Sequence, residues 1–331
     1  MDVRSIGSLT VSVVGLGCNQ LGTTFVDDDD VDRIVGEAIE AGITYFDTAD
    51  EYGANYADPS DPRGWGRSEE LLGRALGRRR DQVVVGSKFG VAPHGDAPGG
   101  GASARWARSA IEATLRRLGT DYVDLYQLHF PDPAVGIDET LGALDQLVHE
   151  GKVREIGCCN FSADQLAEAH DVARAERVRP FASIQSPLNI FQRGALDELL
   201  PAAGELGMSF IPYYPLASGM LTGKYRRGEP APQGSRLADQ VGDDVRSRLL
   251  SDRNFARVEA LEAYAQARGH TLIELAFAWL LGHDPVATVI AGASRPGQAA
   301  TNGASAGWQL APAEVGEVTA LVASAGQAAR S

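Results

Sequence analysis

Short runs of apolar, mostly β-branched residues alternate along the chain with longer amphipathic segments. The runs lack strict apolar–polar alternation, which is typical of strands buried on both faces of a parallel sheet. Their starts are mostly about 30 residues apart, the length of one strand–helix unit. Eight candidate strands result: Val11–Leu16, Thr44–Asp47, Val83–Lys88, Tyr122–His129, Glu155–Cys159, Phe181–Gln185, Ser209–Tyr213 and Thr288–Ala291.

The segments between these strands carry apolar residues at three- and four-residue spacing, which predicts helices with one buried face. In Ser103–Leu118, Ser103 is a candidate N-cap and Gly119 a candidate stop. Asp138 and Gly151 are predicted to cap and end the next helix. The other helical patterns are Asp28–Ala41, Ser68–Leu76, Asp138–Glu150, Ala163–Ala175, Ala195–Leu206, Asp252–Ala267 and Leu272–Leu281.

The alternation of strands and helices predicts a single α/β domain over residues 1–331. The one long gap between strands holds a loop rich in Gly, Pro and Arg, Thr222–Gly242, followed by two of the helices. No Ser- or Pro-rich linker divides the chain. Eight strands with intervening helices favour a closed (β/α)₈ TIM barrel, with an open doubly wound sheet as the alternative.

Composition narrows the functional classes. The chain has 331 residues, of which 44% are hydrophobic and 22% charged, the ordinary range for a globular protein. A net charge of −14 disfavours nucleic acid and anionic membranes as partners. No run of 18 apolar residues and no apolar leader is present. Three cysteines form no disulfide framework, so we expect a reducing, cytoplasmic setting.

Ionisable residues stand at the predicted carboxyl ends of consecutive strands, where the chemistry of such barrels gathers. Asp47, Lys88 and His129 end three candidate strands, and Tyr52 follows Asp47 by five residues. Taken singly, each is more simply a surface charge, a core histidine or a loop residue. Their convergence on one cavity favours function, and Lys88 at the end of an apolar run needs a partner such as Asp47.

This set of residues suits proton transfer at a carbonyl or alcohol oxygen. Lys88 beside the Tyr52 hydroxyl would favour the phenolate and bring the phenol pKa below its usual value of about 10. Asp47 would hold Lys88 charged, and His129 would donate to the same substrate oxygen. These are the parts of a metal-free carbonyl reductase; the six scattered histidines form no zinc motif. A barrel isomerase or lyase using the same Tyr–Lys pair is an alternative.

Five segments of the chain are similar to the signature segments of one enzyme family: Gly42–Gly53, Val84–Phe89, Asp121–His129, Gly151–Gly157 and Gly292–Gln298. On these segments the chain resembles the aldo-keto reductases, from about Val11 to Asn302. The resemblance implies a TIM barrel with a short N-terminal β-hairpin and extra helices around strand 8. It implies reduction of an aldehyde or ketone, with a catalytic tetrad of Asp47, Tyr52, Lys88 and His129 and with Tyr52 as general acid.

The resemblance also implies a nicotinamide cofactor, extended across the strand ends. Asn160 and Gln185 would hold its carboxamide, and Tyr213 would stack on the nicotinamide ring. The loop after the seventh strand would lie along the pyrophosphate. The implied cofactor contacts are Gly17, Cys18, Asn19, Cys159, Asn160, Gln185, Tyr213, Tyr214, Pro215, Leu216, Ser218, Lys224, Arg236, Gly292, Ser294, Arg295, Gln298 and Asn302.

The residues near the predicted phosphates agree with this assignment. Ser294 is a candidate N-cap, followed by Arg295 and Pro296 at the opening of a helix, and a helix N-terminus beside an arginine is a natural anion site. Lys224 and Arg236 would complete a basic island on an acidic chain. Because no acidic residue is placed to bind the ribose hydroxyl, NADPH is favoured over NADH.

Three positions depart from the family pattern. Cys159 and Tyr214 stand where many members carry Ser, and Thr301 stands where Glu is common. A thiol is a weaker hydrogen-bonding group than a hydroxyl. The carboxamide contact would therefore depend mainly on Asn160 and Gln185, while the tetrad is untouched.

The segment Ala54–Arg67 is longer than the usual link and follows Tyr52 directly. We expect it to wall the substrate pocket together with Phe25, Phe89 and Phe130, with a plain surface insertion as the alternative. The expected partner is a small-molecule carbonyl substrate.

A second function class is also open. The chain resembles the branch of the family that includes the beta subunits of voltage-gated potassium channels, on the spacing of Phe191-Gln192-Arg193 and of the Gly-Ala-Ser block. Some members of that branch bind NADPH and act through a protein partner. A redox-sensing module with weak turnover is therefore the alternative to a carbonyl reductase.

Overall fold

The apolar runs form parallel strands in the computed structural model, which describes residues 1–53, 64–91 and 101–328. Two short strands, β1 (Val3–Ile6) and β2 (Leu9–Ser12), form an antiparallel hairpin at the N-terminus. The remaining strands are β3 (Val14–Gly17), β4 (Tyr45–Asp47), β5 (Val84–Phe89), β6 (Val123–Leu128), β7 (Val153–Cys159), β8 (Ser183–Pro187), β9 (Ser209–Tyr213) and β10 (Val289–Gly292).

These eight strands pair in the order β10-β3-β4-β5-β6-β7-β8-β9, every pair parallel. The chain just before β10 returns to β9 through a parallel bridge between Phe210 and Val286. Phe210 N–H donates to the carbonyl of Pro285 at 2.9 Å, and Ala287 N–H donates to the carbonyl of Phe210 at 2.9 Å. The sheet is therefore a nearly closed barrel, and the predicted TIM-barrel class with its N-terminal hairpin is confirmed.

Helices surround the barrel at the predicted places. Ser103 caps α3 by accepting a hydrogen bond from the backbone of Trp106 at 3.3 Å, and Gly119 ends it with φ +64°, as predicted. No helix in the described ranges is both long and apolar enough to cross a membrane. The helices are α1 (Asp28–Glu40), α2 (Arg67–Leu76), α3 (Ala104–Leu118), α4 (Ile137–His149), α5 (Ala163–Glu176), α6 (Leu199–Glu205), α7 (Arg236–Asp239), α8 (Asp243–Leu249), α9 (Asp252–Gln266), α10 (Leu272–Leu281), α11 (Gln298–Ala304) and α12 (Pro312–Ala328).

Several predicted boundaries are wrong for local reasons. The predicted strand Val11–Leu16 joins the end of β2 to the start of β3, which are separate because β2 pairs with β1 and β3 pairs with β10. The Ser12 hydroxyl donates to the carbonyl of Val14 at 2.7 Å between them. The predicted cap Asp138 lies inside the first turn of α4, and Gly136 is the N-cap. An acidic residue in a first turn still favours the helix through its dipole.

The region between β8 and β10 also differs in detail. The predicted helix Ala195–Leu206 is a 3₁₀ turn at Gly194–Leu196 followed by the shorter α6. The loop Thr222–Gly242 contains the four-residue helix α7, and α8 follows it before α9. These short helices carry too few apolar positions to show a periodic pattern in the sequence.

Two apolar cores stabilise the barrel. The larger one lies between the strands and the surrounding helices. The smaller one lies at the amino ends of the strands, where the hairpin residues Ile6, Leu9 and Val11 pack against Tyr45 and Leu125. Because the hairpin fills this end of the barrel, the opposite, carboxyl end is where polar side chains collect.

We expect Ile6→Ala to lower the free energy of unfolding by about 2–5 kcal/mol, the usual effect of emptying a packed aliphatic site. Ile6 is fully buried in the smaller core, whereas Val3, on the same strand, is exposed. The matched control Val3→Ala should change stability by about 0.5 kcal/mol or less. Chemical denaturation of both variants measures the difference; equal losses would contradict the plug role of the hairpin.

Candidate active site

Lys88 is the centre of the polar cluster at the carboxyl end of the barrel. It lies on β5 and is fully buried. Its Nζ donates to Asp47 Oδ2 at 2.5 Å, to the backbone carbonyl of Thr48 at 2.9 Å and to Tyr52 Oη at 3.1 Å. Since an ammonium group has three protons, these contacts satisfy all of its donors. The structure thus brings three of the four predicted catalytic residues into direct contact.

Burial and the neighbouring charges shift the pKa values of Lys88 and Tyr52 in opposite directions. Burial alone would lower the pKa of Lys88, but the Asp47 carboxylate raises it above its ordinary value, so the ammonium stays charged. Burial raises the pKa of Tyr52 above its ordinary value, and Lys88 only partly opposes this. The sequence-based expectation of a phenol pKa below 10 is therefore wrong, because desolvation of the phenolate outweighs the nearby positive charge.

Asp47 is held by amide and hydroxyl donors as well as by Lys88. Its Oδ1 accepts from Gln185 Nε2 at 2.9 Å, from Tyr45 Oη at 3.2 Å and from Gln127 Nε2 at 3.4 Å. The sequence-based interpretation gives Gln185 to the cofactor and misses the roles of Tyr45 and Gln127. A signal is present for the last two: each lies two residues before a tetrad member in the chain, and alternate residues of a strand face the same side.

His129, the fourth predicted catalytic residue, follows β6 directly and is buried. Its ring lies 5.9 Å from the Tyr52 ring, edge to face, and stacks on the Phe130 ring at 4.8 Å. Its Nδ1 lies 3.3 Å from Glu51 Oε1. Burial, and to a lesser degree Lys88, lowers the pKa of His129 well below its ordinary value. The imidazole is therefore neutral, with a proton on one ring nitrogen and a lone pair on the other.

The residues predicted to hold a carboxamide surround the tetrad. Asn160 follows β7 in the left-handed region with φ +61°. Its Nδ2 donates to the backbone carbonyl of His129 at 2.9 Å, and its Oδ1 accepts from Tyr213 Oη at 2.8 Å. Gln185 donates to Asp47, while Cys159 is buried on the end of β7. These contacts place Asn160 and Gln185 around the tetrad, at the predicted nicotinamide end.

The loop after β9 has an unusual backbone. Tyr214, Ala217 and Ser218 have φ values of +56°, +48° and +57°, in the left-handed region that non-glycine residues seldom adopt. Pro215 is buried and Leu216 half-buried within the same loop. Ala217 and Ser218 are followed by Gly219 at φ +91°, and the N–H groups of Ala217 and Gly219 donate within the loop to the carbonyls of Tyr214 and Leu216.

Basic side chains border this loop, as the sequence predicts. Lys224 is exposed and packs on Gly219, where an added Cβ would lie 2.8 Å from the lysine side chain. The Arg236 guanidinium lies over the Tyr214 ring at 4.9 Å and contacts its hydroxyl at 3.4 Å. Arg295 is exposed and donates to a nearby backbone carbonyl at 2.8 Å. Three cations thus line one stretch of the barrel rim.

The predicted N-cap at Ser294 is wrong. The helix α11 begins at Gln298, and its N-cap is Gly297 in the left-handed region. Ser294 instead donates its backbone N–H to Gln298 Oε1 at 2.7 Å, and its hydroxyl lies 3.3 Å from the same oxygen. Asn302 is buried and donates to the carbonyl of Gly292 at 3.3 Å. Hydrogen bonds therefore couple Ser294 to Gln298 and Gly292 to Asn302 among these predicted cofactor contacts.

The end of β3 forms another wall of the site. Gly17 and Gly292 are opposed in register on neighbouring strands, and a Cβ on Gly17 would lie 2.8 Å from a side chain of β10. Cys18 is fully buried, and its backbone N–H donates to the carbonyl of Asp47 at 2.8 Å. Asn19 is half-buried, close to Gly292. Gly17 and Cys18 therefore shape the wall, whereas Asn19 presents a side chain.

Aromatic residues flank the site only in part as predicted. Phe130 is exposed and stacks on the His129 ring, and Phe25 is exposed in the loop between β3 and α1. Phe89 is fully buried and stacks on Tyr126 at 4.9 Å in the layer between strands and helices. Its predicted role as a pocket wall is wrong, because it points to the opposite side of β5 from Lys88. Most of Ala54–Arg67 lies outside the described residues.

Comparison with known proteins agrees with this geometry. The family model "Aldo/keto reductase family" matches residues 13–323. The aldo-keto reductase YhdN of Bacillus subtilis is 32% identical over 318 residues, 94% of this chain and 90% of that protein. A probable voltage-gated potassium channel subunit beta of Oryza sativa subsp. japonica is 32% identical over 312 residues, 91% of this chain and 90% of that protein.

A solved structure of a glycerol dehydrogenase from Gluconobacter oxydans superposes with a TM-score of 0.80 and 30% identity. The match covers 98% of this chain and 95% of that one. Both the barrel and nearly the whole length of the chain are therefore matched. The chain belongs to the aldo/keto reductase family of oxidoreductases.

Proposed function

We propose that this protein reduces an aldehyde or ketone to an alcohol with NADPH and that Tyr52 is the general acid. The observation that carries the proposal is the position of Lys88 Nζ, 2.5 Å from Asp47 Oδ2 and 3.1 Å from Tyr52 Oη, at the carboxyl end of the barrel. The protonated phenol of Tyr52 can give one proton, and the charged ammonium of Lys88 beside it can stabilise the phenolate that remains.

The residues present fit a nicotinamide cofactor. The loop after β9 turns tightly, since Tyr214, Ala217 and Ser218 are left-handed. Such a loop suits a pyrophosphate. Tyr213 at the start of this loop is half-buried, Arg236 lies over the ring of the neighbouring Tyr214, and Lys224 packs on Gly219 further along the loop. The cofactor, when bound, would supply the hydride.

The chain's own side chains would then orient the carbonyl and deliver the proton. Because burial raises the pKa of Tyr52, its hydroxyl holds its proton until a carbonyl oxygen begins to gain charge. The proton then passes from Tyr52 Oη to that oxygen, while Lys88 stabilises the phenolate and Asp47 keeps Lys88 in place. His129 would bind the same oxygen through its second ring nitrogen. Solvent returns the proton to Tyr52 afterwards.

The proposed preference for NADPH rests on the same cations. Arg236, Arg295 and Lys224 are at least partly exposed, so their charges are available to a phosphate ester. Arg236 is held in place by the ring of Tyr214, which stands where many family members carry Ser. An arginine held against an aromatic ring loses less side-chain freedom when it binds an anion.

A second candidate is a cofactor-binding module that acts through a protein partner. It is favoured by the likeness to probable voltage-gated potassium channel beta subunits of Oryza sativa and Arabidopsis thaliana, each 32% identical over 91% of this chain. NADPH that copurifies and is consumed slowly with every carbonyl compound would favour this candidate over a reductase.

We expect Tyr52→Phe to reduce kcat for aldehyde reduction about 10²–10⁴-fold, the usual contribution of a general acid. NADPH should still bind with unchanged affinity by calorimetry, because the phenol ring remains. The matched control Tyr264→Phe removes a hydroxyl whose partner is Glu317 on α12, 3.2 Å away, and should keep full activity. Turnover near the wild-type rate in the Tyr52 variant would reject the role proposed for its hydroxyl.

We expect Arg295→Leu to weaken NADPH binding about tenfold or more and to leave NADH binding nearly unchanged. One hydrogen bond to a charged group contributes about 1.5–3 kcal/mol. The control Arg174→Leu, on α5, removes an exposed arginine whose contact is Asp171. Calorimetric titration with both nucleotides measures the ratio; a parallel loss for NADH would contradict recognition of the extra phosphate by Arg295.

A further inference from the structure

Glu51 is a largely buried carboxylate that the proposed mechanism leaves without a part. It precedes Tyr52 in the chain, and its side chain is 15% exposed. Its Oε1 lies 3.3 Å from Nδ1 of His129. That nitrogen is buried and makes no aligned hydrogen bond within the described residues. A buried ring nitrogen normally has a hydrogen-bond partner, and the carboxyl group of Glu51 is within reach of this one.

The position of the carboxyl group matters because His129 is neutral. A neutral imidazole carries one proton, on Nδ1 or on Nε2, and the partner of one nitrogen decides which. In this structure Nδ1 faces Glu51, so Nε2 is the nitrogen left for a substrate oxygen. To bind a carbonyl oxygen, Nε2 must carry the proton, and Nδ1 must then accept a hydrogen bond or have none.

We propose that Glu51 is a positioning residue that sets the tautomer of His129. In its protonated form, Glu51 donates its O–H to Nδ1, and Nε2–H is directed to the substrate. When Glu51 ionises, it accepts from Nδ1–H, and Nε2 becomes a bare acceptor that repels a carbonyl oxygen. The change releases one proton to solvent, and the imidazole stays neutral in both states. This inference rests on the proposed reductase function only for its effect on turnover.

Burial and the nearby charges indicate that the carboxyl group of Glu51, and not the imidazole of His129, titrates. Burial raises the pKa of Glu51 above its ordinary value, and Lys88 on β5 opposes this. Burial and Lys88 both lower the pKa of His129. Asp50, which precedes Glu51 in the chain, is a further acidic neighbour. Burial and the carboxylates of Glu69 and Glu51 raise its pKa, and the Arg117 guanidinium opposes this.

The neighbouring groups also fix the ring. Phe130 stacks on one face of the imidazole, and the Tyr52 ring meets it edge to face. The backbone N–H of His129 donates to the carbonyl of Phe89 at 2.7 Å, and its carbonyl accepts from Asn160 at 2.9 Å. Since the ring is confined in this way, the proton position is the freedom that remains to it, and Glu51 is the group in contact with the buried nitrogen.

The direct test is ¹⁵N NMR of the free protein labelled at histidine. Its six histidines are distinguished by comparison with His129→Ala, whose spectrum lacks the resonances in question. We expect His129 to be protonated at Nε2 at low pH and at Nδ1 at high pH, with one transition that both Glu51→Gln and Glu51→Ala abolish. The control Glu168→Gln, an exposed glutamate on α5, should keep the transition. One tautomer at every pH in the wild type would overturn the proposal.

The kinetic test follows the same proton. With the active form protonated, kcat/KM for aldehyde reduction should fall tenfold per pH unit above the pKa of Glu51. In Glu51→Gln, whose amide N–H replaces the carboxylic O–H at every pH, this fall should vanish while the rate at low pH stays within about threefold of the wild type. An unchanged pH profile in Glu51→Gln would also overturn the proposal. The NMR test needs no substrate, so it stands apart from failure of the reductase function.

Discussion

A buried lysine can stay charged only if the protein replaces the water it has lost, and this requirement organises the whole carboxyl end of the barrel. Lys88 meets it with a carboxylate, a carbonyl and a phenol oxygen, from Asp47, Thr48 and Tyr52. Those three oxygens come from a single stretch of chain that leaves β4 and turns back beside β5. The ion pair therefore does two things at once: it fastens the turn to the barrel, and it places a phenol within 3.1 Å of a fixed positive charge.

The pairing register of the barrel strands positions the other side chains around the ion pair of Lys88 and Asp47. Asp47 lies beside Gly86 on β5, and Lys88 lies beside Gln127 on β6. Further round, Cys159 lies beside Gln185. Because the parallel strands pair in this register, residues at their ends come to one level, and the amides of Gln127 and Gln185 reach the same oxygen of Asp47. Because each of these side chains leaves a strand and not a loop, the geometry around the ion pair depends on the barrel itself and resists change in the surrounding loops.

The amino-acid pattern is sufficient to predict which polar residues meet at the barrel end but not how deeply each of them is buried. Strand periodicity and the carboxyl-end rule together predict that Lys88 and Tyr52 meet. The predicted sign of the phenol pKa shift is wrong, because it depends on how completely water is excluded from Tyr52, and exclusion is set by many residues at once. The predicted role of Phe89 as a pocket wall is also wrong, since hydrophobicity alone does not distinguish a pocket wall from a helix-facing core. Gln127 is missed although it lies two residues before His129, because this spacing indicates which side of the strand it faces and not which residue of another strand it contacts.

The two ends of the site are built with different rigidity, and this follows from what each must recognise. The tetrad lies on strands and the turns that leave them, is mostly buried and is over-determined by hydrogen bonds, which suits a reaction that needs one oxygen held within a fraction of an ångström. The proposed nucleotide end lies on loops, and its cations are at least partly exposed, with Arg236 held by one aromatic ring and Arg295 by one backbone carbonyl. A phosphate is large, symmetric and strongly charged, so it tolerates adjustable partners that a reacting carbonyl does not. Substitutions at the rim, such as the tyrosine beside Arg236, can therefore alter how the proposed nucleotide would be held without disturbing Lys88, whose surroundings the barrel fixes independently.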